Sequence, residues 1–135
     1  MTLTIEGIGQ FPTMYSKSES RVLYAEIKKD KNYDILVNAT DMIIKKFLEE
    51  EILYSNELGF IEYDSVEDKY YVQYHLTLIN NSYARIQGEI LGFKGIPIVK
   101  KFKNEKFGAF KPEYISIFQR KIRNGFYHSE LDINV

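Results

Sequence analysis

Tyr71-Val72-Gln73-Tyr74-His75-Leu76-Thr77-Leu78-Ile79-Asn80-Asn81 is the stretch whose reading decides the fold. Polar and apolar residues alternate along it, the pattern of a half-buried β-strand. With a period of two, Val72, Tyr74, Leu76 and Leu78 share one face, and Tyr71, Gln73, His75 and Thr77 share the other. The apolar face calls for a core behind it, and parity assigns Tyr74 to that core. The polar face sets an imidazole and a hydroxyl side by side. Such a pair can hold an anion and move a proton.

Working outward, Leu3 to Phe11 reads as a short strand loosened by Gly7 and Gly9. Gly7-x-Gly9 has neither the third glycine nor the following helix of a dinucleotide loop, so a bulge or a close backbone approach is the better reading. Arg21 to Lys28 predicts a central strand. A helix is predicted from Tyr33 to Leu53, because Leu36, Ala39, Ile43, Ile44, Phe47 and Leu48 recur at three- and four-residue spacings. Glu49, Glu50 and Glu51 in its last turn oppose the helix dipole and read as a solvated end. Residues 59–63 suggest a short strand before the acidic turn Asp64 to Asp68.

Residues 81–113 resist assignment, with glycines at 88, 92, 95 and 108. Lys100, Lys101, Lys103 and Lys106 read as a solvated loop, with contact to a phosphate backbone as the alternative. Pro112 ends that loop. Tyr114 to Arg120, a turn over 121–125, and Phe126 to Val135 predict a terminal hairpin. The expected class is α+β, a mostly antiparallel sheet with one long helix packed on a face.

The 135 residues fit a single domain over 1–135, and 44% hydrophobic against 27% charged residues is ordinary globular usage. A formal net charge of −1 supplies no global basic field for nucleic acid, so any RNA contact is local. Cysteine is absent, which removes disulfides, zinc ribbons and thiol nucleophiles. The N-terminus lacks a signal-peptide pattern, and no apolar run approaches the ~20 residues of a membrane span. The expectation is a soluble chain of the cytoplasm or nucleus, with no membrane partner. With only His75 and His128, no spacing marks a metal site, and no cofactor is expected. His128, beside Glu130 in the terminal strand, reads as a surface histidine.

His75-Leu76-Thr77-Leu78-Ile79-Asn80 resembles the His-x-Thr signature of the two-histidine phosphoesterases, the LigT-like superfamily. It is most similar to the eukaryotic branch that includes a subunit of the activating signal cointegrator complex and the LigT-like domain of an A-kinase anchoring protein. Gly7 to Phe11, Val22-Leu23-Tyr24-Ala25 with the long helix, and Ile115 to Arg120 followed by Gly125-Phe126-Tyr127 extend the resemblance over almost the whole chain. The resemblance implies a metal-independent phosphodiesterase fold of two pseudo-symmetric lobes, each giving one His-x-Thr strand to a central groove that takes RNA. It implies His75 as a general acid or base and Thr77 as a phosphate clamp. Of the alternating pair Gln119 and Arg120 at most one faces such a groove. Arg120 is the better phosphate ligand, because a guanidinium grips phosphate in a fork.

The sequence departs from that pattern in one respect. It contains a single His-x-Thr, and His128-Ser129-Glu130 does not qualify as a second. Loss of one of two concerted proton-transfer groups costs about 10²–10⁴ in rate. The chain therefore reads as the second, C-terminal lobe, and three accounts stand: part of a longer protein, a lobe without catalysis, or half of a two-fold dimer that shares one groove. The expected function is action on, or binding of, RNA ends bearing 2′,3′-cyclic phosphate or 2′,5′ linkages. The alternatives are a non-catalytic nucleotide-binding or protein-interaction module, for which an unpaired lobe would expose apolar sheet, and a small α+β domain without a ligand.

Overall fold

The computed structural model describes residues 1–81, 85, 86, 88–123 and 126–134; for 85, 86, 89, 90, 118–123 and 126–133 the description is of the backbone alone. In chain order the elements are β1 (Leu3–Pro12), β2 (Ser20–Ile27), α1 (Lys31–Glu49), a 3-10 turn (Ser55–Glu57), β3 (Glu62–Asp64), β4 (Lys69–Tyr71) and β5 (Leu76–Asn80). There follow β6 (Arg85–Ile86), β7 (Glu89–Ile90), α2 (Ile96–Lys101), β8 (Lys106–Phe110), β9 (Tyr114–Arg123) and β10 (Phe126–Asn134). The main sheet has the order β5-β2-β1-β8, and every pairing in it is antiparallel. Three separate two-stranded sheets join β3 to β4, β6 to β7, and β9 to β10. The class is α+β with one long helix, as the sequence predicts.

Strands β1 and β2 form the middle of that sheet. Their β-branched and aromatic residues suit a pleated, packed surface, and Leu3, Ile5, Ile8, Val22, Leu23 and Ala25 are buried there. Both glycines of β1 have packing reasons. Gly7 takes φ +89°, and a Cβ on it would stand 2.7 Å from the Lys103 carbonyl oxygen. The register also slips between Ile5 and Ile8. Bulge and close approach coincide, as expected.

Helix α1 begins two residues before the predicted Tyr33, because Asp30 caps it. The Asp30 carboxylate accepts the amide N–H groups of Asn32 at 2.8 Å and Tyr33 at 3.2 Å. The helix ends at Glu49 rather than Leu53. Lys46 binds Glu49 at 3.0 Å and Glu50 at 2.7 Å, and Glu51 turns into the left-handed region at φ 55°. Two of the three glutamates, Glu50 and Glu51, therefore lie beyond the helix, and Lys46 offsets Glu49 and Glu50. Among the apolar stripe sits one charge the periodicity did not reveal: Asp41 is buried. It accepts the Tyr70 N–H at 2.8 Å and pairs with Lys45 at 3.2 Å, which clips α1 to β4. Lys45 also reaches Asp68 at 3.3 Å, and the Tyr63 hydroxyl donates to Asp68 at 2.7 Å. The Tyr63 hydrogen bond, followed by the Lys45 ammonium, holds the Asp68 carboxyl below its ordinary range.

Strand β5 corrects the expectation of a half-buried strand running from Tyr71. Tyr71 belongs to β4, and β5 starts at Leu76. It is an edge strand, and all five of its residues are exposed. Leu76 and Leu78, assigned to the core by alternation, are 55% and 48% exposed. The physical reason is the edge position, which leaves both faces of β5 uncovered. A register slip against β2 adds to it, since Thr77 pairs with Tyr24 and Ile79 with Leu23 and Leu78 is the extra residue of a bulge. Tyr74 does turn inward. Its hydroxyl bonds the Thr40 hydroxyl and donates to the Leu36 carbonyl at 3.4 Å.

Two further differences concern the C-terminal half. The stretch read as a loop contains α2, which lies against β1, and β8, which pairs with β1. At the terminal hairpin, β9 runs on to Arg123, through much of the predicted turn. Among the described residues no helix is long and apolar enough to cross a membrane.

Candidate functional site

The site starts from a gap. Gly9, Tyr24 and Thr77 stand opposite one another across β1, β2 and β5. The Tyr24 ring lies over Gly9, where a Cβ would come within 2.5 Å of ring carbons. Glycine at position 9 therefore makes room for the ring. Phe11, two residues along on the same side of β1, packs against Tyr24 with ring centroids 4.6 Å apart. His75 completes the cluster. Its imidazole meets Phe11 edge-on at 5.1 Å and an interplanar angle of 89°, and Tyr24 at 5.4 Å. Edge-to-face and tilted contacts at such distances are the favoured geometries of aromatic pairs.

His75 is exposed, yet its ring is fixed by three partners. Nδ1 lies 3.0 Å from the Gln73 carbonyl oxygen. A carbonyl only accepts, so Nδ1 carries the proton in the neutral ring and Nε2 presents its lone pair. Thr77 follows two residues on and is exposed. Burial, with the nearby Glu26 carboxylate second, pushes the Tyr24 hydroxyl above its ordinary range. Tyr24 thus acts as an uncharged wall. A cleft of about 350 Å³ adjoins the cluster, with Tyr24 and Gln73 in its lining.

The structure therefore puts Thr77 on the exposed edge strand β5 and His75 in the residue just before that strand begins. Arg120 lies in β9, in the irregular stretch between the Ile122 and Phe118 pairs, and its side chain is outside the described residues, as is that of His128. The lysine cluster is not a single solvated loop. Lys100 and Lys101 sit in the last turn of α2, Lys106 opens β8, and Lys103 lines the cleft. Among the described residues no group of His, Cys, Asp and Glu could hold a metal ion.

Sequence reasoning missed Phe11 and Tyr24, which carry the imidazole. The sequence marks both only as strand residues. The available signal was the pairing of a strand glycine with an aromatic on the neighbouring central strand, and it depends on register. Chemically, the arrangement offers one imidazole nitrogen for proton transfer and one hydroxyl for an anion.

An antiparallel α+β architecture with one long helix is consistent with the LigT-like, phosphoesterase-like class. The family model described as the AKAP7 2'5' RNA ligase-like domain matches residues 1–135, and the chain belongs to that family. No curated protein matches the chain.

Proposed function

We propose that this chain is one domain, equivalent to the second lobe of a LigT-like phosphoesterase, that takes RNA ends bearing a 2′,3′-cyclic phosphate or a 2′,5′ linkage at His75 and Thr77. One observation carries the reading: the His75 ring is braced by Phe11 and Tyr24 and fixed through Nδ1, so Nε2 is directed by the fold rather than by chance. Membership of the RNA ligase-like family supports it. In this account Nε2 takes a proton from a 2′-hydroxyl or water, or returns one to the leaving oxygen. The Thr77 hydroxyl and the Arg120 guanidinium hold the phosphate oxygens, a division of labour that stabilises the charge developing on them. The step as written involves no metal. A domain of this kind works in the cytoplasm or nucleus.

One lobe supplies one proton-transfer group. Hydrolysis at full rate therefore draws a second His-x-Thr from a two-fold-related copy, from another chain or from a further segment of a longer protein, and the lobe alone binds rather than cleaves. A second reading, a module that docks a protein partner through its sheet, is favoured by the exposed Leu76, Leu78, Ile79, Phe107 and Phe110 on the two edge strands. The test is hydrolysis of 2′,3′-cyclic and 2′,5′-linked oligonucleotides over a wide range of protein concentration, with His75→Ala alongside. We expect specific activity to rise with concentration and to fall about 10²–10⁴-fold in the mutant. Equal inertness of both proteins, with no oligonucleotide bound, would favour the docking module.

A further inference from the structure

The cleft that Tyr24 and Gln73 border lies next to the aromatic cluster of His75. At about 350 Å³ it falls at the lower end of small-ligand pockets, about 300–1,000 Å³. Its lining is of two kinds, aromatic and hydrogen-bonding. Tyr24 and Tyr33 both border it. Tyr33 is set before any ligand arrives, because its ring meets Tyr74 edge-on at 5.7 Å and the Tyr74 hydroxyl is tied to Thr40. A ring held in this way loses little freedom when something stacks on it.

The hydrogen-bonding wall includes Glu6, Glu26, Lys28 and Gln73. Glu6 is committed to Lys28 at 3.0 Å. Glu26 makes no ion pair among the described residues, and its charge is instead felt by the Tyr24 hydroxyl. An ionised carboxylate only accepts hydrogen bonds. Facing the edge of a nucleobase, it takes N–H groups and repels carbonyl oxygens. Guanine, adenine and cytosine each offer an exocyclic amino group there. Uracil offers one N–H set between two carbonyls.

The geometry points to a nucleobase site in this cleft, with Tyr33 as the stacking surface and Glu26 selecting an amino-bearing base over uracil. It rests on the reading of His75 and Thr77 as the phosphate end and adds a base preference to it. Single-stranded RNA is commonly read in this way, by stacking on aromatics together with hydrogen bonds to base edges.

The test is calorimetric binding of the four ribonucleoside 3′-monophosphates and of ribose phosphate to the full chain. Guanosine, adenosine and cytidine monophosphates should bind about tenfold more tightly than the uridine one, the discrimination one good base contact gives. In Glu26→Gln, an isosteric change at an exposed position, that gap should close to within about threefold, while ribose phosphate binds as before. Tyr33→Ala should weaken all four nucleotides about tenfold without touching ribose phosphate, and Tyr33→Phe should restore them. Equal affinity for all four bases, or a gap that survives Glu26→Gln, overturns the inference. If ribose phosphate binds and His75→Ala abolishes this, but no base gap exists, the base site alone falls. If neither ribose phosphate nor any nucleotide binds, the proposed function falls with it.

Discussion

Strands β2 and β5 lie side by side in one sheet and have opposite characters. In β2, Leu23 and Ala25 are each 1% exposed, whereas every residue of β5 is exposed. The packed strand holds the fold together, and the bare one carries Thr77 and follows directly on His75. His75, immediately before β5, nonetheless takes little from that strand. Its orientation comes from Tyr24 on β2 and Phe11 on β1, and from the backbone at Gln73. A site can thus lie at an open edge and still be set by the interior, provided aromatic side chains reach outward from the inner strands.

The largest effect should come from attacking the inner strand. Leu23→Ala empties a fully buried site and should destabilise the fold by about 2–5 kcal/mol. Leu78→Ala, on the exposed bulge of β5, should change stability by about 0.5 kcal/mol or less. Denaturant titration of both variants checks the contrast, and similar losses would break it. Gly9→Ala is next. The added methyl has no place beside the Tyr24 ring, and overpacking of this kind costs about 1–3 kcal/mol. Because the displaced ring also braces His75, the imidazole proton resonances should lose their ring-current shifts in the folded variant. A His75 spectrum unchanged by Gly9→Ala would show that β5 orients its histidine without help.

The smallest effect concerns the clip outside this sheet. Asp68 is held ionised by Tyr63 and then by Lys45, so its folded pKa lies below the ordinary value of 3.8. A depressed carboxyl contributes stability above the unfolded pKa, and this is lost as pH falls through the folded one. Below about pH 4 the β3–β4 hairpin should loosen while the β1–β2 pair stays formed. The amide shifts of Tyr63 and Tyr70, followed against those of Leu23 and Ala25, measure this. In Asp68→Asn the part of this pH dependence read at Tyr63 should shrink, while the Tyr70 amide still reports Asp41.

Residue patterning revealed the parts of the fold governed by local periodicity. Strands β1 and β2 follow from their β-branched runs, and α1 follows from its apolar stripe, with its ends shifted by the Asp30 cap and the left-handed turn at Glu51. Helix α2 escaped because it has six residues, opens with Pro97 near its start and has Gly95 as its cap. Strand β8 escaped because Gly108, at φ +135°, interrupts a short and wholly exposed edge. At the candidate site, the His75-x-Thr77 spacing is visible in the sequence. The contacts of Phe11 and Tyr24 with the imidazole are not, since cross-strand register decides who their neighbours are. The burial of β5 was misread for the same reason: alternation indicates which residues share a face, but not whether anything covers it.

The glycine beneath Tyr24 also bears on how such sequences can diverge. An aromatic at 24 and a glycine at 9 fill one volume between them, so neither position drifts alone. A side chain gained at 9 crowds the ring, and a ring lost at 24 leaves a hollow. Relatives should therefore change the two together or not at all, and a lineage that trades the pair for two medium-sized residues would also have to find another brace for its histidine.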